Sequence, residues 1–91
     1  MKRTLLYAAA LVALASTAQA ACFVEYKAKQ DDPLNLHYGI IKLDGPCAEV
    51  EGQVGARLAP EGWELLTVLS ATNKLPNAAK REDAGGYFLR F

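Results

Sequence analysis

Histidine, cysteine and tryptophan are scarce in this sequence, and their scarcity excludes several kinds of enzyme. The chain has one histidine, two cysteines and one tryptophan. Nucleophilic catalysis needs a base beside its nucleophile, and a zinc centre needs three or four ligands of His or Cys type. His37 is the only imidazole and falls in a predicted strand, where a partly exposed structural histidine is favoured over a catalytic base. We therefore predict a protein that is not an enzyme, with no catalytic residues, metal or cofactor.

Long apolar runs are also scarce. One run, residues 4–15, follows the basic start of the chain, and the small residues Ala18 and Ala20 come shortly after it. This pattern is typical of an export signal, and the run is shorter than the ~20 residues that span a bilayer. We expect residues 1–20 to be a signal peptide cleaved after Ala20; the alternative is a retained membrane anchor. Residues 21–91 would then form a single periplasmic or secreted domain without a transmembrane segment.

A cluster of basic residues is lacking as well. Without residues 1–20, the chain carries eight Lys and Arg against ten Asp and Glu, a net charge of −2. Nucleic-acid binding relies on grouped Lys and Arg that neutralise phosphates. The sequence therefore predicts that the partner is not a nucleic acid.

The two cysteines, Cys22 and Cys47, are predicted to form a disulfide. Exported chains meet an oxidising compartment, and a domain this small has a core that benefits from a covalent link. The alternative is that Cys22 is a lipidated N-terminal cysteine, which would leave Cys47 as a free thiol. Lipidation favours Leu three residues before the cysteine, and Gln19 stands there. The disulfide is therefore the favoured assignment.

The apolar pattern of residues 21–91 predicts an α+β fold with the order β-β-α-β-β, in which a small antiparallel sheet packs on one helix. Strands are indicated by residue alternation and by β-branched and aromatic residues. They are expected at residues 22–28, 36–43, 63–70 and 86–91. The third of these is apolar on both sides, so we expect it to lie in the centre of the sheet.

The predicted helix begins at Asp44-Gly45-Pro46, because proline suits a first helical turn. Its apolar stripe is formed by Cys47, Val50, Val54 and Leu58, at spacings of three or four residues. The polar segment 71–85 is predicted to be a flexible connection, within which Lys80-Arg81-Glu82-Asp83 is a solvated charge cluster.

The motif Gly62-Trp63-Glu64-Leu65 resembles one found in a family of small bacterial domains of unknown function. In that family a strand with a Tyr-Lys ending precedes a helix that ends in Gly-Trp-Glu-Leu, and a last strand ends in aromatic-x-Lys/Arg. Tyr26-Lys27 and Phe88-Leu89-Arg90 match the two flanking strands. The resemblance implies a small α+β unit and no known active site. This chain differs in its predicted signal peptide, its cysteine pair and its additional strand at residues 36–43.

Two stretches have residues that suit ligands. Glu61 and Glu64 flank Trp63, so a small carbohydrate-binding or hydrolytic domain is an alternative function, although a core tryptophan is the more common case. The acidic stretch Asp31-Asp32-Pro33-Leu34-Asn35 could be a calcium loop, but it lacks the alternating ligands and terminal Glu of such loops. A plain turn is favoured there.

Apolar residues on both faces of the predicted sheet indicate a function in binding. One helix covers only one face of a sheet, which leaves Leu66, Val68 and Phe88 as a candidate interaction face. We expect an interaction module or accessory subunit that forms a homodimer or binds a larger envelope protein. Alternatively, residues 71–85 fold back over this face.

Overall fold

The protein is an α+β domain built on a three-stranded antiparallel sheet with the strand order β2-β1-β3. The computed structural model describes residues 21–91, so the signal peptide predicted for residues 1–20 lies outside the described residues. The strands are β1 (Ala21–Gln30), β2 (Asn35–Asp44) and β3 (Glu64–Thr72). The helices are α1 (Val50–Leu58) and α2 (Ala78–Ala84), followed by the 3-10 turns Ala59–Glu61 and Gly85–Tyr87 respectively. The α+β class, the antiparallel sheet and the β1–β2 hairpin are confirmed, but the order is β-β-α-β-α with two helices, not the predicted β-β-α-β-β with one.

The main core lies between α1 and one face of the sheet. Alternate residues of a strand share a face, and residues four apart share a helix face. Val24, Tyr26 and Ala28 of β1 are therefore buried against Val54 and Leu58 of α1. The other fully buried members of this core are Cys22, Ile41 and Leu43.

A second, smaller core lies on the opposite face, beneath α2. Phe23 of β1 and Ile40 of β2 pack there against Ala84, with Phe88 beside them. Glu25 ties α2 to the sheet on this face, because its carboxylate lies 2.9 Å from the Lys80 ammonium. The two helices thus cover different faces of the sheet.

The disulfide between Cys22 and Cys47 is present and links β1 to the segment before α1. The Cα atoms of the two cysteines are 5.1 Å apart, within the usual range for a disulfide. The sulfur of Cys22 is bonded to Cys47 and is not a free thiol, so the disulfide assignment is confirmed.

The helix begins later than the sequence suggests. We predicted a start at Asp44-Gly45-Pro46, but Asp44 ends β2 and α1 begins at Val50. Gly45 has φ of 96° and Glu49 has φ of 49°, which are left-handed conformations that a right-handed helix does not contain. The Pro46 signal therefore marks a turn before the helix.

The third strand lies at an edge of the sheet, and the prediction of a central position was wrong. Its register with β1 shifts twice, so that Leu69 and then Leu66 are extra residues in the pairing. Each bulge interrupts the alternation of side chains. In the sequence, a strand with two bulges therefore shows apolar residues at both odd and even positions. Such a pattern resembles that of a central strand, although β3 is paired along one edge only.

The last predicted strand, residues 86–91, does not form. Gly85–Tyr87 is a 3-10 turn, and Phe88 makes a single parallel bridge to Ile40. Leu89 has φ of 54°, which breaks an extended conformation.

Segment 71–85, predicted to be a connection, contains the end of β3 and the helix α2. Asn77 caps this helix by accepting a hydrogen bond from the Lys80 amide at 2.9 Å. In the sequence, Asn77 as a capping residue and the helix-forming residues that follow it indicate this helix. No helix among residues 21–91 is long and apolar enough to cross a membrane.

Replacing both Cys22 and Cys47 by alanine should lower the free energy of unfolding by about 3.5 kcal/mol, because the bond closes a loop with a sequence separation of 25. Urea unfolding of the oxidised wild type and of the variant measures the difference. Equal unfolding midpoints would contradict a stabilising role for the disulfide.

Candidate functional site

The only histidine lies at the centre of a buried aromatic cluster. His37 is 8% exposed, and its ring stacks on Tyr87 with centroids 3.8 Å apart. Trp63 meets the imidazole edge to face at 4.2 Å, and Phe91 lies further out at 5.9 Å. We call His37, Tyr26, Trp63, Tyr87 and Phe91 the aromatic cluster. The sequence predicted a partly exposed histidine, and this was wrong because the C-terminal residues cover it.

Tyr26 reaches His37 by crossing over a glycine. Tyr26 pairs with Gly39 across the sheet, and its hydroxyl lies 2.8 Å from His37 Nε2. A Cβ atom at position 39 would lie 2.5 Å from the tyrosine oxygen and within 3 Å of its ring. Only glycine at this position therefore leaves room for the Tyr26 phenol to lie across β2 and form its hydrogen bond with the imidazole.

Burial keeps both members of this pair neutral. It lowers the pKa of His37, and the nearby positive charge of Arg90 lowers it further. Burial likewise raises the pKa of Tyr26 to about 12. His37 Nδ1 is buried and has no hydrogen-bond partner among the described residues. A protonated ring would bury an N–H group on Nδ1 with no acceptor. The neutral tautomer that donates its Nε2–H to the Tyr26 oxygen avoids this cost, so the structure favours a neutral imidazole with a packing role.

A second polar group surrounds Glu25 on the face that α2 covers. The Tyr38 hydroxyl donates to this carboxylate at 2.7 Å, the Ser70 hydroxyl also donates to it, and Lys80 lies at 2.9 Å. The hydrogen bonds from Lys80 and Ser70 lower the pKa of Glu25 to about 2. Lys80 therefore has a carboxylate partner instead of belonging to a solvated charge cluster.

The residues proposed for carbohydrate chemistry lie at a wide groove between α1 and the end of the hairpin. The groove has a volume of about 540 Å³ and includes Trp63 and Glu64 in its walls. Glu64 lies 3.6 Å from Lys29, and Glu61 is exposed on the 3-10 turn outside the groove walls. Trp63 is half-buried because it packs against His37. The structure does not bring the two acids together across the indole.

The candidate interaction face does not form one surface. Val68 pairs with Tyr26 and packs on the main core, on the side covered by α1. Phe88 packs in the smaller core with Ile40. Leu66 is a bulge residue and is 49% exposed. The two bulges explain the difference, since they move Val68 to the face opposite the one that strict alternation assigns.

An open apolar trough lies on the sheet beside Leu66. It occupies about 230 Å³ on the sheet at the hairpin end. Leu36, 65% exposed, and Leu66 form its apolar walls. The complete lining consists of Lys27, Ala28, Leu36, His37, Tyr38 and Leu66. We call this surface the open trough; α2 covers the same sheet only further along, above Phe23 and Ile40.

The acidic stretch that could have been a calcium loop forms the tip of the β1–β2 hairpin. Asp31 makes an ion pair with Lys29 at 3.4 Å. Among residues 21–91, no three His, Cys, Asp or Glu side chains are grouped as metal ligands. The turn assignment therefore accounts for these residues.

Comparisons with protein-family models, with curated proteins and with solved structures gave no significant match to this chain. The resemblance carried by Gly62-Trp63-Glu64-Leu65 therefore stays a prediction.

The buried imidazole predicts a loss of stability in mild acid. The pKa of His37 is lowered in the folded state, so the unfolded chain binds the proton more tightly. The free energy of unfolding should therefore fall as the pH drops below about 6.5, the ordinary histidine value. Urea titrations at pH 7.5 and 5.0 measure this change.

His37→Phe is the control for this prediction, since it keeps an aromatic ring but cannot titrate. Its unfolding free energy should change less over this interval. Equal pH slopes for the two proteins would contradict the assignment. Between pH 4.5 and about 2 a further loss is expected in both, because Glu25 takes up a proton in the unfolded chain while its pKa of about 2 keeps it ionised in the folded one.

Gly39→Ala should destabilise the domain by about 1–3 kcal/mol, because the new methyl group overlaps Tyr26 in a packed core. The matched control is Gly52→Ala in α1, where a Cβ has nothing within 4 Å. That change should stabilise the helix by up to about 1 kcal/mol. Thermal or urea unfolding compares the pair, and a neutral Gly39→Ala would contradict the packing of Tyr26.

Proposed function

We propose that this protein is an exported, non-catalytic interaction module or accessory subunit of the cell envelope. The open trough supports this proposal most directly. It exposes Leu36 of β2 and Leu66 of β3 in the walls of one concavity, on a sheet that elsewhere carries a helix on each face. Exposed apolar side chains grouped in this way are characteristic of association sites.

The states of the titratable groups support a non-catalytic role. A general base must be able to exchange its proton with a substrate and have a pKa near the working pH. His37 is buried and its pKa is lowered, and its Nε2 atom is hydrogen-bonded to the Tyr26 hydroxyl. The Lys80 ammonium is held in an ion pair with the Glu25 carboxylate at 2.9 Å, which is a structural contact.

Export is supported by two independent features. The first is the predicted signal peptide at residues 1–20. The second is the bond between Cys22 and Cys47, since disulfides persist in oxidising compartments and are rare in the cytosol. Together they favour a periplasmic or secreted domain over a cytosolic one.

The test of this function is chemical cross-linking in intact cells, followed by purification of the tagged protein and mass spectrometry. The wild type should be recovered as residues 21–91, less two hydrogens for the disulfide, and cross-linked to a protein partner. Leu36→Lys combined with Leu66→Lys should abolish the cross-link, since it places two charges in the open trough.

Leu75→Lys is the matched control, because Leu75 is 79% exposed and lies away from the trough. It should cross-link like the wild type. A double trough variant that keeps the same partner would contradict the role of the trough. A wild type found only in the cytoplasmic fraction would contradict export.

A further inference from the structure

The two outer edges of the sheet differ in how they are covered. The edge of β2 is met by the C-terminal segment: Phe88 bridges to Ile40, and the Leu89 amide donates to the Ile40 carbonyl at 2.8 Å. The outer edge of β3 has no neighbouring strand within residues 21–91. Its outward-facing amide and carbonyl groups are available to pair with another chain.

The uncovered edge lacks most of the features that prevent strands from associating. Natural edge strands are protected by Lys, Pro, inward-pointing charges, short length or bulges. Between Leu65 and Thr72 this strand contains no charge and no proline. It does contain two bulges, but the bulge residues Leu66 and Leu69 are each 49% exposed and apolar. The bulge residues are therefore exposed and apolar, and they add no charge to this strand.

The edge is also complementary to itself. Leu65, Val68 and Ala71 pair with β1 residues that face α1, so these three share that face of the sheet. Two antiparallel copies of β3 centred on Val68 place Leu65 opposite Ala71 and Val68 opposite Val68, so like faces meet. The same register places Thr67 opposite Leu69 of the second copy. An interface that pairs one surface with itself is the form that a two-fold symmetric dimer requires.

We propose that two copies of this protein pair through their β3 edges, antiparallel and centred on Val68, to form one continuous six-stranded sheet. The partner is thus a second copy of this chain, a conclusion that rests on the proposed function as an interaction module. Main-chain hydrogen bonds would supply the association, as in other cases of strand addition. The pairing also places the two open troughs on the same composite sheet, since Leu66 belongs to both features.

The test uses charges at two exposed positions that face each other only in this register. The Thr67→Lys/Leu69→Lys variant places like charges opposite each other twice across the two-fold axis, which destabilises a strand pair. The Thr67→Lys/Leu69→Glu variant places opposite charges there instead. Sedimentation equilibrium of the oxidised protein, from 1 to 200 μM, gives the dimer dissociation constant of each.

We expect the wild type to dimerise and the Lys/Lys variant to bind itself at least about tenfold more weakly. The Lys/Glu variant should return to within about threefold of the wild type. Leu75→Lys, on the loop before α2, should dimerise normally. Circular dichroism and urea unfolding confirm that each variant folds, which both exposed positions allow.

The other outcomes overturn the proposal in distinguishable ways. A wild type that is monomeric at 200 μM excludes the dimer, while a cross-linked larger partner would leave the proposed function intact. A Lys/Lys variant that dimerises like the wild type shows that the contact lies elsewhere. A Lys/Glu variant as weak as Lys/Lys shows that the register is not centred on Val68. Hydrogen exchange gives an independent measure, because β3 amides should be slowed at concentrations where the dimer forms.

Discussion

The central position of β1 determines the arrangement of the rest of the domain. Because β1 pairs on both sides, its alternating side chains supply both cores. Val24 and Tyr26 face α1, whereas Phe23 and Glu25 face the side on which α2 lies. Cys22, which forms the disulfide with Cys47, also lies in this strand. A domain of this size buries few apolar residues. Because one central strand contributes to both cores, the domain can pack a helix on each face of the sheet.

Much of this architecture could be predicted from the sequence, and the failures have local causes. The β1–β2 hairpin and the packing of Val54 and Leu58 follow simple periodicity, and the disulfide follows from two cysteines behind a predicted export signal. The position of β3 could not be predicted, because the bulges at Leu66 and Leu69 are set by its pairing with β1 and leave no mark in the residue pattern.

The C-terminal residues illustrate a different limit. Their aromatic and aliphatic character is typical of a strand, but tertiary contacts decide their conformation. Tyr87 stacks on His37 and Phe88 enters the smaller core, so the chain turns at the edge of β2 instead of extending along it. The same contacts bury the histidine, which is why its environment could not be predicted from a strand pattern. A contact between residues fifty positions apart in sequence has no local signal.

The C-terminal segment also determines which parts of the sheet are covered. By bridging to Ile40 it covers the β2 edge, and by following α2 it leaves the hairpin end of that face uncovered. The residues best suited to chemistry, His37 and Lys80, are meanwhile held in structural contacts. The outer edge of β3 and the apolar side chains of Leu36 and Leu66 are left exposed by the same arrangement. Unpaired strand backbone beside exposed apolar side chains suits the recognition of another polypeptide by strand pairing and apolar contact, which is the role that we have proposed.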